Sequence, residues 1–217
     1  MHFRAHARSA YRRRMNELIS RARSLAERPG RTVLGITGPP GAGKSTVADA
    51  IVDQLGRDLA VVVPMDGFHL AQSELLRLGR SARKGAADTF DDAGYAHLLE
   101  RLADQTTGVI YAPHFDRTLE EPVAGSIAVT ADVPLVVTEG NYLLLDDGSW
   151  PRARAAMTEV WYIDLDDDER RRRLVQRHTM FGKSEDDAHA WVHGSDEANA
   201  RLVASTASRA DRRFRHP

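Results

Sequence analysis

The sequence predicts an α/β protein, a doubly wound parallel sheet with helices on both faces. Three observations carry that expectation. Four short runs rich in Val, Ile and Leu read as strands buried on both faces, since none alternates polar with apolar residues. Helical periodicity recurs between them, and a glycine-rich turn joins the first run directly to a helix. With 217 residues the chain has the size of one domain, 1–217, around a single core.

Residues 1–29 hold an amphipathic helix over 5–27, in which Tyr11, Met15, Leu18, Ile19, Ala22 and Leu25 recur at helical spacing until Pro29-Gly30 stops it. Its start is rich in arginine and free of acid, as a transit peptide is, but it runs on towards the first core strand and so reads as part of the domain. Thr32–Thr37 (TVLGIT) is that strand, followed by a glycine-rich turn, a helix over 44–56 and a second strand over 59–65 (LAVVVPM). Strand, loop, helix, strand implies a parallel pair with a right-handed crossover. The next core strand, Pro134–Thr138 (PLVVT), comes only after an insert over 67–133, too long for one crossover. Within it lie a helix near 95–103 and an extended hairpin over 109–130, where acceptor recognition is expected. Beyond the fourth strand, Val160–Leu165 (VWYIDL), a basic helix over 167–178 opens a lid region, 166–190, and one or two further helices over 184–209 break at Gly194.

Composition narrows the function classes. A formal net charge of −1 gives no pull towards nucleic acid or an anionic membrane, and neither is expected as a partner. The lack of cysteine removes disulfides, thiolate zinc sites and a thiol nucleophile together. No apolar run approaches the roughly 18 residues of a membrane span, and the N-terminus lacks the apolar centre of a secretory signal, so a cytoplasmic protein is expected. Nor are the nine histidines expected to build a dedicated zinc site. Assembly as a homodimer is left open.

Gly38, Pro39, Pro40, Gly41, Ala42, Gly43, Lys44 and Ser45, followed by Thr46, match the phosphate-binding pattern G-x-x-x-x-G-K-[ST] between the required strand and helix. Glycines let the backbone turn its amides inward, where they meet phosphate oxygens at the positive end of the helix. Lys44 adds a point charge for the β and γ phosphates, and Ser45 offers an oxygen to Mg²⁺. The expected fold is therefore the P-loop NTPase three-layer α/β/α arrangement with a helical lid and a hairpin insert, and the expected cofactors are ATP and Mg²⁺. No Asn-Lys-x-Asp tetrapeptide follows to specify guanine.

Ligands of open parallel sheets sit beyond the carboxyl ends of the strands. There the second strand delivers Asp66 and the third Glu139. Phosphoryl transfer to an alcohol needs a carboxylate that orients and accepts the hydroxyl proton, for which Asp66 is the candidate, and a Mg²⁺ clamp, for which Glu139 is the candidate through water.

Four stretches then carry a resemblance: the phosphate loop, Met65–His69 (MDGFH), Arg83–Asp91 (RKGAADTFD), and Tyr111–Asp116 with Glu120 and Glu121. Over roughly residues 30–205 the chain resembles the phosphoribulokinase, uridine kinase and type I pantothenate kinase superfamily of P-loop kinases. The resemblance implies that Asp66 is the catalytic base and that Glu139 helps hold Mg²⁺. It also implies that Lys84, Phe90 and Asp91 match an acceptor segment of pantothenate kinases, and that Pro113, His114, Phe115 and Asp116 match the Pro-x-Tyr-Asp of the uridine kinase pocket, with Phe in place of Tyr.

Four arginines, Arg170 to Arg173, and Arg177 crowd the basic helix. Arg173 and Arg177, four apart, share a face and are candidates to stabilise the transferring phosphoryl group. Arg170 and Arg171 read instead as a solvated face paired with neighbouring acids. His69 and His114, in loops facing the acceptor, and Asn199 on a late helix complete the candidate contacts. The expected reaction is ATP plus R–OH giving ADP plus the phosphate ester. A nucleoside is the first acceptor considered, and a fructose-like sugar or pantothenate-like alcohol the alternative. The competing class is an ATPase switch acting on a protein partner, docked through the basic first helix.

Overall fold

A computed structural model describes residues 2–215. Helix α1 (His2–Ala26) leads into strand β1 (Thr32–Thr37), then α2 (Lys44–Leu55) and β2 (Ala60–Pro64). The insert follows as a short turn Met65–Phe68, α3 (Gln72–Arg77), α4 (Asp92–Ala103) and a hairpin of β3 (Val109–Asp116) and β4 (Glu121–Thr130). The core resumes with β5 (Leu135–Gly140), α5 (Trp150–Ala155), β6 (Glu159–Asp164), α6 (Asp167–Met180), α7 (Glu185–Trp191), α8 (Glu197–Ser205) and β7 (Arg212–Arg215). The main sheet has five parallel strands in the order β2-β5-β1-β6-β7. Among the described residues no helix is long and apolar enough to cross a membrane.

Every residue of β1 and β5 is buried, as unbroken β-branched runs require when helices cover both faces of a sheet. Leu34, Ile36, Leu135, Val137, Trp161 and Ile163 face α1 and α2. Val33, Val136, Val160 and Tyr162 face the opposite layer of α4, α5 and α8. Leu18, Ala22, Leu25 and Ala26 of α1 are buried at the i, i+4, i+7, i+8 spacing of a helix stripe, which makes the second half of α1 a core element.

The fifth strand is a departure from expectation. Arg-Arg-Phe-Arg carries no buried-strand pattern, yet it pairs in parallel with β6 as an edge strand. One apolar contact, Phe214 on Trp161 with ring centroids 5.5 Å apart, and one carboxylate hold it there. Glu159 is buried and accepts from Arg21 Nη2 at 2.6 Å, Trp161 Nε1 at 2.7 Å and Arg212 Nε at 2.6 Å, which joins α1, β6 and β7 at one point. Gly194 also differs from expectation: the helices around it do not break but join through a π turn, Val192–Asp196.

In the hairpin, Ile110, Ala112 and Phe115 are buried while Val109, Tyr111 and His114 face outward. Strict alternation would send His114 inward, but a register shift between Ala112 and His114 resets the phase and turns Phe115 in instead. The hairpin then lies against the turn after β2. A Cβ on Gly67 would stand 2.4 Å from the Pro113 carbonyl oxygen, so only glycine permits this approach.

Burial alone would push the Glu159 carboxyl up, but the bonds from Arg21, Trp161 and Arg212 together hold it below the usual glutamate range. A lowered native value means stability that is present above the unfolded pKa and lost as pH falls through the native one. Glu159→Gln is expected to lower Tm at pH 7 and to flatten the decline of Tm below about pH 4.5. Scanning calorimetry of both proteins between pH 3 and 7 checks this, and parallel acid limbs would remove Glu159 as the staple.

Candidate active site

The phosphate loop, 38–45, turns between β1 and α2. Two glycines are demanded by its path. A Cβ on Gly38 would lie 2.3 Å from the Ile163 carbonyl oxygen, and Gly43 stands at φ 91°, at the N-terminus of α2. Lys44 is buried, and its Nζ donates to the Pro39 carbonyl at 3.2 Å and to Asn141 Oδ1 at 2.7 Å. Both partners are neutral. Burial therefore lowers the lysine's pKa, with only partial compensation from the fields of Glu139 and Asp66.

One residue along α2, Ser45 Oγ donates to Glu139 Oε1 at 2.9 Å. Glu139 sits at the end of β5, buried, and its pKa is pushed up to about 7, first by burial and then by Asp66. The site thus holds a buried cation and a buried carboxylate that feel each other's fields without being hydrogen-bonded to each other, a donor set whose chemistry fits a phosphate chain with a divalent cation. No cluster of three metal-ligating side chains exists among the described residues.

Asp66, on the turn after β2, stands near the same edge, with Arg117 Nη2 3.6 Å from its Oδ2. Arg177 of α6 points there too. Burial first, and Arg117 second, lower its pKa against the pull of Asp196, Asp66 and Glu139. A separate cavity of about 350 Å³ opens beside Pro39 and is lined by Tyr162, Asp164, Leu165, Glu197 and Arg201.

Comparison with known proteins falls on this geometry. The chain is 32% identical over 198 residues to the "Putative uridine kinase C227.14" of Schizosaccharomyces pombe, covering 87% of this chain and 84% of the relative. The chain belongs to the uridine kinase-like family of P-loop kinases. A solved structure, a "putative fructose transport system kinase" from Silicibacter sp. TM1040, is 34% identical and superposes with a TM-score of 0.77 over 91% of this chain and 98% of that one. YFH7 from Saccharomyces cerevisiae, 16% identical, shares the fold with a TM-score of 0.77 over 95% and 99% of the two chains. The family profile of the methylmalonyl Co-A mutase-associated GTPase MeaB matches residues 3–65, a stretch that ends with the second strand of the phosphate-loop unit.

Within this kinase fold the remaining candidates divide. His69 Nδ1 lies 2.8 Å from the Asp66 carbonyl oxygen, and its ring lies 4.0 Å from that of Phe90 and 4.7 Å from that of Phe115, centroid to centroid. Lys84 Nζ stands 5.3 Å over the Phe115 ring. Asn199 reaches the same wall, its Nδ2 donating to the Gly85 carbonyl at 3.3 Å. Other candidates are spent on local structure. Asp91 caps α4 by accepting from the Gly94 amide at 2.8 Å, and Asp116 shapes the hairpin turn by accepting from Thr118 N at 2.8 Å and Leu119 N at 3.1 Å. His114 faces solvent for the reason of register given above. Arg173 is tied to Glu169 Oε1 at 2.7 Å, leaving Arg177 as the helix's contribution to the site.

Arg170 is a correction in the other direction. Instead of lying on a solvated face it is fully buried, donating to Glu197 Oε2 at 2.6 Å and Asp167 Oδ1 at 3.1 Å. Asn141, Tyr142 and Arg117 escaped sequence reasoning. Asn141 and Tyr142 follow Glu139 closely enough to share its strand end, a usable signal, whereas Arg117 is brought to Asp66 only by the fold of the hairpin. His189 and His193, four apart, stack in parallel with centroids 6.3 Å apart, a pair that the expectation of no histidine site had passed over.

An acid whose native pKa is raised costs stability as pH climbs past its unfolded value. Free of nucleotide, Glu139→Gln is expected to be no more stable than the parent near pH 4.5 and clearly more stable by pH 8, with the gain developing up to about pH 7. Urea titrations at the two pH values measure it; an equal offset at both would contradict the raised value.

Proposed function

We propose that the protein transfers the γ-phosphoryl group of ATP to a hydroxyl of a small metabolite, with Asp66 as the base. The observation that carries this is the placement of Asp66 at the strand end beside the Lys44–Ser45–Glu139 set, close enough for its field to act on both Lys44 and Glu139. The loop amides and Lys44 hold the phosphate chain, and the positive end of α2 adds to their field. Mg²⁺, held by Ser45 with Glu139 behind it, would neutralise charge on the β and γ oxygens.

The acceptor oxygen attacks the γ-phosphorus. A P–O bond to the acceptor forms, the bond from γ-phosphorus to the β–γ bridging oxygen breaks, and ADP leaves with that oxygen. The hydroxyl proton passes to Asp66 and then to solvent. Arg177 supplies positive charge from α6 for the transferring group. Relatives are named for uridine and for fructose transport, which supports a hydroxyl-bearing metabolite as the acceptor.

Asp66→Asn is expected to lower kcat for phosphate transfer by about 10²–10⁴-fold while leaving the affinity for ATP nearly intact. Turnover with a panel of nucleosides, sugars and hydroxy acids, alongside ATP binding by calorimetry, tests the assignment. Near-normal kcat in the variant would end it.

A further inference from the structure

The acceptor side of the site carries more positive charge than the transfer of a phosphoryl group to a neutral alcohol calls for. Three carboxylates around the hairpin are already committed. Asp88 pairs with Arg80 and Arg83, Asp116 holds the hairpin turn, and Glu121 accepts from the Gln72 amide at 3.0 Å. Lys84, next in sequence to the paired Arg83, has no carboxylate partner among the described residues. Its Nζ donates once, to the Glu120 carbonyl at 2.5 Å, and otherwise lies over the Phe115 ring.

That ring touches His69, whose Nδ1 bonds the Asp66 carbonyl, so Lys84 lies on the wall that adjoins the base. Arg117, which follows the same hairpin strand, has one ion pair among the described residues, with Asp66 at 3.6 Å. Once Asp66 turns to an acceptor hydroxyl, Arg117 is released from that pair. Lys84 and Arg117 then stand on the wall beside Asp66 with no other ion pair among the described residues.

Resting on the kinase reading above, we propose that the acceptor bears an anionic group, a carboxylate or a phosphate, in addition to its hydroxyl, and that Lys84 and Arg117 bind it. Arg117 then has two states: paired with Asp66 in the free enzyme, and drawn to the acceptor's anion when the base is engaged. Neutral nucleosides and sugars leave both cations unanswered. The aromatic wall of His69, Phe90 and Phe115 covers the apolar part of the acceptor in either case.

The test uses acceptors in matched pairs, hydroxy acids against their amides and sugar phosphates against the free sugars, read as phosphate ester formed. The anionic member of a pair is expected to have the higher kcat/KM, and Lys84→Gln to reduce that preference about 10- to 100-fold, chiefly through KM. Inorganic sulfate with ADP and Mg²⁺ present provides a readout that needs no known acceptor. It is expected to raise Tm of the parent and to lose that effect in Lys84→Gln. Efficient transfer to neutral members with no dependence on Lys84 would overturn this inference while leaving the kinase reading standing. Sulfate stabilisation unchanged by Lys84→Gln would also overturn it, whereas transfer to no acceptor with sulfate stabilisation dependent on Lys84 would leave the anion site and remove the kinase reading.

Discussion

Two opposite charges, Lys44 and Glu139, are buried at the ends of neighbouring structural elements, and each is hydrogen-bonded to something other than the other. Asn141 and Pro39 occupy the ammonium, and Ser45 occupies the carboxylate. Burying charges that are not directly paired is costly, and both groups shift towards their neutral forms, the lysine losing and the carboxyl gaining affinity for a proton. Folding of the sheet supplies the energy that holds them there. β1 and β5 pair in register along their length, from Thr32 with Leu135 to Thr37 with Gly140, and so bring the phosphate loop and Glu139 to one edge. Under the proposed function, a phosphate chain and a divalent cation would relieve both costs at once.

The wall beside Asp66 depends on a smaller constraint. The hairpin reaches the turn bearing Asp66 because Gly67 lets the Pro113 carbonyl approach, and it presents Phe115 there because a bulge shifts its phase. Arg117 and Lys84 arrive with it, one from the hairpin turn and one from the segment tucked beneath it. Tyr142 and Asn199 both donate to the Gly85 carbonyl, at 2.5 and 3.3 Å, so the Lys84 segment is fastened from the sheet and from α8 together. Opposite, α6 is held to α8 through Arg170 and Glu197, and to the π turn before it through His178 and Asp196, 2.7 Å apart. Arg170 of α6 is structural, and Arg177, two turns further along the same face, lies in the fields of Asp66 and Glu139.

Much of this was legible beforehand. Unbroken β-branched runs and a glycine loop between strand and helix announce the sheet and its nucleotide edge, because burial on both faces and a tight anion-binding turn leave few other sequences that work. β7 was not legible, since an Arg-Arg-Phe-Arg edge strand is defined by its partner and by Glu159 rather than by its own pattern. Asp91 and Asp116 looked like ligands because caps and turns use the same residue type as binding sites do. His114 and Phe115 exchanged roles through one inserted residue, a shift of phase that alternation cannot reveal. Arg170 shows the limit for charge runs: four arginines in a row alternate round a helix, and only tertiary packing decides which is buried.

With its carboxyl pushed up to about 7, Glu139 is expected to stand partly protonated in the free protein and to give up that proton when a nucleotide and its cation bind. Calorimetric titration of ATP with saturating Mg²⁺ at pH 7, in buffers of differing ionisation enthalpy, counts the protons exchanged. With a carboxyl pushed up to about 7, binding to the parent should release about half a proton more than binding to Glu139→Gln. Equal proton counts in the two proteins would contradict it.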